Sequence, residues 1–176
     1  MKSPTKENIK QIATTKNYTT NVYIGSNDDE FISAINKSLN NTKYKIIGFE
    51  SDGKKLVKNI KKDIPNILLL DTKINNSSYS EITSSIEKIN IPHIAIIDDI
   101  TDKIIEEIIP GNPFGYLIKP IEIEELERMI DVSVKKHNIN TLKTINAKDK
   151  IKEKNEELLI EKSNSIFLLV TCSALI

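Results

Sequence analysis

The chain has 176 residues, 39% of them hydrophobic, which is enough for one domain of ordinary size with additional terminal segments. Its 25 basic and 25 acidic residues give a net charge of zero, so charge offers no reason to expect nucleic-acid binding. The single cysteine, Cys172, excludes an internal disulfide and a zinc knuckle, and two histidines are too few for a histidine-based metal site. We therefore expect a cytoplasmic protein without nucleic-acid partners.

The predicted elements alternate along the chain. Residues 1–20 are polar and rich in Lys and Thr, and we expect a disordered tail rather than a signal peptide. Five apolar runs of strand length follow, at Val22–Ile24, Tyr44–Gly48, Ile67–Leu70, His93–Ile97 and Tyr116–Ile118. A segment with helical spacing of apolar residues follows each run, at Phe31–Leu39, Leu56–Ile60, Ile82–Ile89, Ile104–Ile109 and Ile121–Ile130.

Five strands that alternate with five helices predict an α/β fold, a parallel sheet covered by helices on both faces. Right-handed crossovers place the functional loops of such a sheet at the carboxyl ends of its strands. In this chain those ends are Gly25–Asp28, Asp71, Ile97–Asp99 and Lys119.

Asp71 and Lys119 each end an apolar run at this edge. A carboxylate and an ammonium that meet there can perform acyl-phosphate chemistry, because the carboxylate attacks phosphorus and the lysine pairs with a phosphoryl oxygen. Taken alone, the two residues also fit a structural role, in which Asp71 caps the next segment and Lys119 pairs with it.

The region Asn21–His137 resembles the receiver domain of response regulators, of the archaeal and histidine-kinase-associated type. The segments that carry the resemblance are Tyr44–Gly48, Pro65–Asp71, Ile91–Pro92 and Phe114–Pro120. The resemblance implies a flavodoxin-like (βα)5 doubly wound fold, with Asp71 as phosphoacceptor, Lys119 as phosphate counter-ion and Tyr116 as the switch aromatic. A plain strand aromatic is the alternative interpretation of Tyr116.

The acidic pair that holds Mg²⁺ in receivers falls on Ser26 and Asn27, and neither is anionic. A shift of one or two residues brings in Asp28 or Asp29, but it also turns the apolar face of the first helix, so a lost pair is the favoured interpretation. With Asn27, Asp28 and Asp71 as the remaining ligands, we expect Mg²⁺ to bind weakly or not at all.

The fourth strand also departs from the family. Receivers place Ser or Thr where this chain has Ile97, and isoleucine cannot hydrogen-bond to a phosphoryl group. Asp98 follows and is expected to repel a phosphate. Lys73, two residues after Asp71, either places a second ammonium near the site, in place of some metal charge, or faces water. Water is the favoured interpretation, because most lysines are solvated.

Residues 138–164 are rich in Lys, Asn and Glu and predict a charged helical linker, with too many charged seam positions for a firm coiled coil. Residues 165–176 are apolar but too few to span a bilayer. A packed helix, the first part of a truncated membrane or output segment, and an unselected tail all remain open, and so does membrane association.

The sequence is compatible with three functions. The first is a phosphorelay receiver, not an enzyme, that accepts phosphate on Asp71 from a partner histidine kinase. The second is a pseudo-receiver that binds other signalling proteins without phosphorylation, with a possible homodimer through the fifth-strand face or the C-terminal helix. The third, a small α/β enzyme, has least support because the chain has no Gly-rich loop and no histidine at a predicted strand end.

Overall fold

The computed structural model describes residues 19–40 and 42–173, with side chains described as far as residue 163. The described chain forms two units, which divide between His137 and Asn138. The expected N-terminal tail lies outside the described residues as far as residue 18, and the first strand begins at Thr20, one residue before the predicted domain start.

Five strands and five helices alternate along the described chain. The strands are β1 (Thr20–Gly25), β2 (Tyr44–Glu50), β3 (Ile67–Asp71), β4 (His93–Ile97) and β5 (Tyr116–Ile118). The helices are α1 (Asp29–Leu39), α2 (Gly53–Lys62), α3 (Tyr79–Glu87), α4 (Asp102–Ile108) and α5 (Ile123–Ser173), with a 3-10 turn at Ile109–Gly111. All neighbouring strands are parallel and their order is β2-β1-β3-β4-β5, so the predicted flavodoxin-like topology is confirmed.

The core lies in two layers because successive residues of a strand point to opposite faces of the sheet. In β3, Ile67 and Leu69 pack against α1 and the first turns of α5, whereas Leu68 and Leu70 pack against α2, α3 and α4. Every residue of β3 and β4 is buried. These two central strands therefore carry the nearly continuous apolar runs that a sheet covered on both faces requires.

Side-chain caps fix where the helices begin. Asp28, Asp52, Ser78 and Thr101 each accept a hydrogen bond from the backbone N–H three residues ahead, which satisfies one of the free donors of the first turn. At Ser78 the cap is reciprocal, since the Glu81 carboxylate accepts from the Ser78 N–H. Asp28 lies between β1 and α1, so its cap also places a carboxylate at the carboxyl edge of the sheet.

Helix α5 runs without interruption from Ile123 to Ser173 and therefore includes the predicted linker, residues 138–164. Within the linker, Ile151, Leu158, Leu159 and Ile160 are exposed. The backbone of residues 165–173 is also helical, while the side chains of the apolar segment lie outside the described residues. No helix in the described ranges carries an apolar stretch long enough to cross a membrane.

Candidate functional site

The carboxyl edge of the sheet brings Asp71 and Lys119 into contact. Asp71 is the last residue of β3, and only 1% of its surface is exposed. Lys119 follows β5, and its backbone N–H donates to the Ile97 carbonyl at 2.9 Å, which holds it beside the end of β4. From there the Lys119 Nζ donates to Asp71 Oδ2 at 2.7 Å. The two residues that the strand ends singled out thus form a largely buried ion pair.

Both carboxylate oxygens of Asp71 have further partners. Oδ2 accepts a hydrogen bond from Ser26 Oγ at 2.8 Å, and Oδ1 accepts one from the backbone N–H of Lys73 at 2.9 Å. Ser26, at the first position of the lost acidic pair, is itself fully buried. A neutral hydroxyl therefore lies against the Asp71 carboxylate where receivers have an acid.

Asp28, one of the three expected weak ligands, contacts Lys119, and it does so without a shift of α1. Its Oδ1 caps α1 by accepting from the Phe31 N–H at 2.9 Å, and its Oδ2 accepts from Lys119 Nζ at 2.8 Å. Because Asp28 is the N-cap of α1, its carboxylate reaches Lys119 while the apolar face of α1 stays buried. The hydrogen bond from Lys119, followed by that from Phe31, lowers the pKa of Asp28.

The Lys119 ammonium is held charged by the acids around it. Burial alone would lower the pKa of Lys119, but its hydrogen bonds to Asp28 and Asp71 outweigh burial and raise it. The ammonium also lies 5.0 Å from the centroid of the Phe31 ring, within the range of a cation–π contact. The Lys119 ammonium is therefore held in place by three side chains, those of Asp28, Phe31 and Asp71.

Lys73 is largely exposed to solvent, as expected, but it also has a charged partner. Although 66% of its side chain is exposed, its ammonium forms an ion pair with the carboxylate of Asp98. Asp98 in turn places its Oδ1 3.6 Å from Lys119 Nζ. The hydrogen bond from Lys73 is the main cause of a lowered pKa at Asp98. Asp98 thus pairs with two lysines, Lys73 and Lys119. No sequence pattern marks the Lys73–Asp98 contact, because Lys73 and Asp98 both occupy exposed loop positions.

The other predicted site residues lie around this cluster in different roles. Asn27 donates from Nδ2 to Asn75 Oδ1 at 3.3 Å, so it contacts the loop after β3. Ile97 is fully buried in the apolar layer that contains α3 and α4. Tyr116 is 41% exposed on β5. Ile97, at the position where the resemblance to receivers implies Ser or Thr, is therefore a core side chain without a hydroxyl.

Mg²⁺ prefers six oxygen ligands and usually takes one or two carboxylates together with water. Asp28 and Asp71 offer two carboxylates at this edge, but Lys119 bridges them and Asp71 is already bonded through both oxygens. In the described part of the chain, no group of three or more metal-ligating side chains has a metal-site arrangement. Asp28 and Asp71 fit Mg²⁺ only if the ion displaces the Lys119 ammonium or shares the carboxylate oxygens with it.

Comparison with solved structures assigns the fold. The signal receiver domain of a modulated diguanylate cyclase from Desulfovibrio desulfuricans G20 matches with a TM-score of 0.65 at 23% identity, over 69% of this chain and 98% of that chain. This chain has the receiver-domain fold.

A second receiver domain, from a sensor histidine kinase of Pseudomonas aeruginosa PAO1, has a TM-score of 0.60 at 18% identity, over 65% of this chain and 97% of its own. That structure holds a magnesium ion in its active-site cleft. A DNA-binding response regulator of the LuxR family from Staphylococcus aureus matches with a TM-score of 0.60 at 21% identity, over 65% of this chain and 98% of that chain. No family model and no curated protein matches the chain.

The amino end of β4 carries a second polar group inside the receiver fold. Tyr79 and His93 are both buried and share a 2.9 Å hydrogen bond between the tyrosine hydroxyl and His93 Nε2. A cavity of about 160 Å³ is lined by His93 and by His137, the other histidine of the chain. The only sequence signal for this pair is that a histidine, His93, begins an otherwise apolar strand. The sequence does not indicate Tyr79 as its partner.

Proposed function

We propose that the chain is a receiver-like module of a two-component phosphorelay, which accepts a phosphoryl group on Asp71 from a partner histidine kinase. The observation that carries the proposal is the 2.7 Å contact between Lys119 Nζ and Asp71 Oδ2 at the carboxyl edge of a receiver fold. Charge pairing at that edge is what an acyl-phosphate site needs, because a cation must stabilise the negative charge of the transferring group.

In the proposed reaction a carboxylate oxygen of Asp71 attacks the phosphorus of a phosphohistidine on the kinase. The new O–P bond forms as the P–N bond breaks, and the bonding pair returns to the imidazole nitrogen of the kinase. Lys119 supplies a positive charge to the phosphoryl oxygens as it gives up its contact with Asp71. Asp28 retains a hydrogen bond from the same ammonium and so keeps it at the site.

Asp28 and Asp71 are the residues that would hold Mg²⁺, whose bound charge offsets that of the phosphoryl oxygens. We expect weak binding, because the ion must compete with Lys119 for both carboxylates and because Ser26 and Asn27 contribute no charge.

A pseudo-receiver that signals through protein contacts alone is the second candidate, and specific observations favour it. Ile97 fills the position of the hydroxyl with a buried apolar side chain, and Asp71 has both oxygens bonded within the protein. Tyr116 and Ile118 leave the β5 face partly exposed, as a standing contact surface for a signalling partner or a second copy would require.

Phosphoryl uptake separates the two candidates. The protein is incubated with acetyl phosphate and Mg²⁺ and its intact mass is measured over time. We expect the wild type and an Asp99→Ala control to gain one phosphoryl group, and an Asp71→Asn variant to gain none. Uptake by Asp71→Asn would refute the assignment of the acceptor, and no uptake by the wild type, under conditions that fully label an ordinary receiver, would favour the pseudo-receiver.

A further inference from the structure

Asp71 is part of a closed ring of polar contacts. Lys119 Nζ contacts Asp71 Oδ2 at 2.7 Å and lies 3.6 Å from Asp98 Oδ1. Asp98 Oδ2 pairs with the ammonium of Lys73, whose backbone N–H returns to Asp71 Oδ1 at 2.9 Å. These four residues, Asp71, Lys73, Asp98 and Lys119, are called the Asp71 ring below.

The Asp71 ring links the ends of β3, β4 and β5 across the edge where a phosphodonor has to approach. It uses both oxygens of Asp71, one through Lys119 and the other through Lys73. An in-line attack on phosphorus requires a carboxylate oxygen that can contact the donor, and Asp71 is 1% exposed. While the ring is closed, the Asp71 carboxylate is buried and each of its oxygens already accepts a hydrogen bond.

Exposure rises outward around the ring. The side chains of Asp71 and Lys119 are 1% and 16% exposed, whereas those of Asp98 and Lys73 are 38% and 66% exposed. Ion pairs between exposed side chains contribute little to stability and are screened by salt. The Lys73–Asp98 pair is therefore the most exposed contact of the ring and the part that an approaching molecule meets first.

We propose that the Lys73–Asp98 ion pair gates Asp71, so that a phosphodonor reaches the carboxylate only when this pair opens. The proposal rests on the proposed function of Asp71 as phosphoacceptor. Asp98 acts through Lys73 and Lys119, and is in this sense a positioning residue. Opening loosens the Lys73 backbone N–H that occupies Asp71 Oδ1, and it frees the Lys73 ammonium to pair with a phosphoryl oxygen beside Lys119.

An Asp98→Ala variant tests the gate, with Asp99→Ala as its matched control. Asp99 also lies close enough to raise the pKa of Lys73 by its charge, yet it makes no contact within the ring, so both variants remove one negative charge from the same turn. We expect acetyl phosphate to label Asp98→Ala about threefold to tenfold faster than the wild type, because an exposed ion pair and a nearby repulsive charge are both removed. Asp99→Ala should stay within about twofold of the wild type.

A second measurement does not depend on phosphorylation. Hydrogen exchange of the Lys73 backbone amide reports on its bond to Asp71 Oδ1, which closes the ring. We expect this amide to exchange several-fold faster in Asp98→Ala and at the wild-type rate in Asp99→Ala.

The two measurements distinguish failure of the gate from failure of the acceptor. Faster labelling and faster amide exchange in Asp98→Ala alone support the gate. Unchanged exchange and labelling in Asp98→Ala, or an equal effect of Asp99→Ala, would overturn it. If no variant is labelled while Lys73 exchange still rises in Asp98→Ala, phosphate acceptance by Asp71 fails and the ring remains supported as a closure of this carboxylate.

Discussion

Ser26 donates a 2.8 Å hydrogen bond from its hydroxyl to Oδ2 of Asp71, and the same hydroxyl accepts the backbone N–H of Asp28 at 3.1 Å. The neutral Ser26 hydroxyl therefore stabilises the buried Asp71 carboxylate by donating a hydrogen bond, which an ionised acid at this position could not do. An acid at this position would need an added positive charge, because two adjacent buried carboxylates repel each other.

The first prediction follows from that relationship and concerns Mg²⁺. The wild type should bind the ion in the millimolar range or more weakly, and the Ser26→Asp/Asn27→Asp variant should bind it at least about tenfold more tightly, because affinity for hard cations follows ligand charge. Titration calorimetry measures both. Asn36→Asp/Ser38→Asp adds the same charge on the exposed side of α1 and should leave affinity unchanged. Tight binding by the wild type would show that Asp28 completes the site unaided.

The second prediction concerns the buried ion pair. Lys119→Met should lower the free energy of unfolding by about 2–4 kcal/mol, because it leaves the Asp71 carboxylate buried without its cation. Lys119→Met/Asp71→Asn should recover part of the loss, and urea unfolding of the four proteins of this cycle measures the coupling. Lys43→Met removes a lysine from a more exposed pair with Asp131 and should cost less than about 1 kcal/mol. Strictly additive effects at Lys119 and Asp71 would contradict the pairing.

The third prediction concerns the link from Asp71 to Tyr116. Beryllofluoride should change the chemical shifts of Tyr116 little in the wild type, because Ile97 has no hydroxyl with which to follow the phosphoryl group and a ligand shifts an equilibrium only through differing contacts. Ile97→Thr should enlarge the response while costing roughly 1–3 kcal/mol of stability, since a buried ethyl group is replaced by a hydroxyl. Shifts that spread over α4 and β5 of the wild type, as in an ordinary receiver, would refute this and favour full receiver switching.

The fourth prediction concerns mild acid. Burial lowers the pKa of His93 to about 4, so the unfolded chain, with a pKa near 6.5, binds the proton first. The stabilisation by neutral His93 is complete above pH 6.5 and is lost as the pH falls towards 4. Urea unfolding should therefore show a loss of about 2 kcal/mol between pH 7 and pH 5.

His93→Gln should remove most of this pH dependence between pH 7 and pH 5. Burial also lowers the pKa of His137, so His137→Gln should remove a smaller part of the same dependence. An acid response that His93→Gln leaves unchanged would assign it to other groups.

The strands were predictable because burial on both faces leaves an apolar run in the sequence. Predicted and observed limits agree at His93–Ile97 and Tyr116–Ile118, and β1 and β2 are extended by one or two residues at an end. Several of the extra residues, such as Thr20 and Glu50, are polar, so hydropathy does not mark them, although the sheet ladder includes them.

The site was predictable where strand ends converge and unpredictable where side chains reach across loops. Asp71 and Lys119 follow directly from the topology of a parallel sheet. The contact between Asp28 and Lys119 was not predicted, because the Asp28 carboxylate has two functions, one oxygen for the α1 cap and one for Lys119. The pair between Lys73 and Asp98 depends on rotamers of exposed residues 25 positions apart, which no local pattern specifies.

The two polar clusters described above, the Asp71 ring and the Tyr79–His93 pair, lie at opposite ends of β4. The Asp71 ring, with its four charged side chains, lies at the carboxyl end, and the uncharged Tyr79–His93 pair lies at the amino end, roughly 13 Å away at about 3.3 Å per strand residue. That separation exceeds the Debye length of about 8 Å at physiological ionic strength. Salt therefore weakens mainly the exposed Lys73–Asp98 pair at one end of the strand, whereas acid in the range of pH 7 to 5 acts through His93 at the other end.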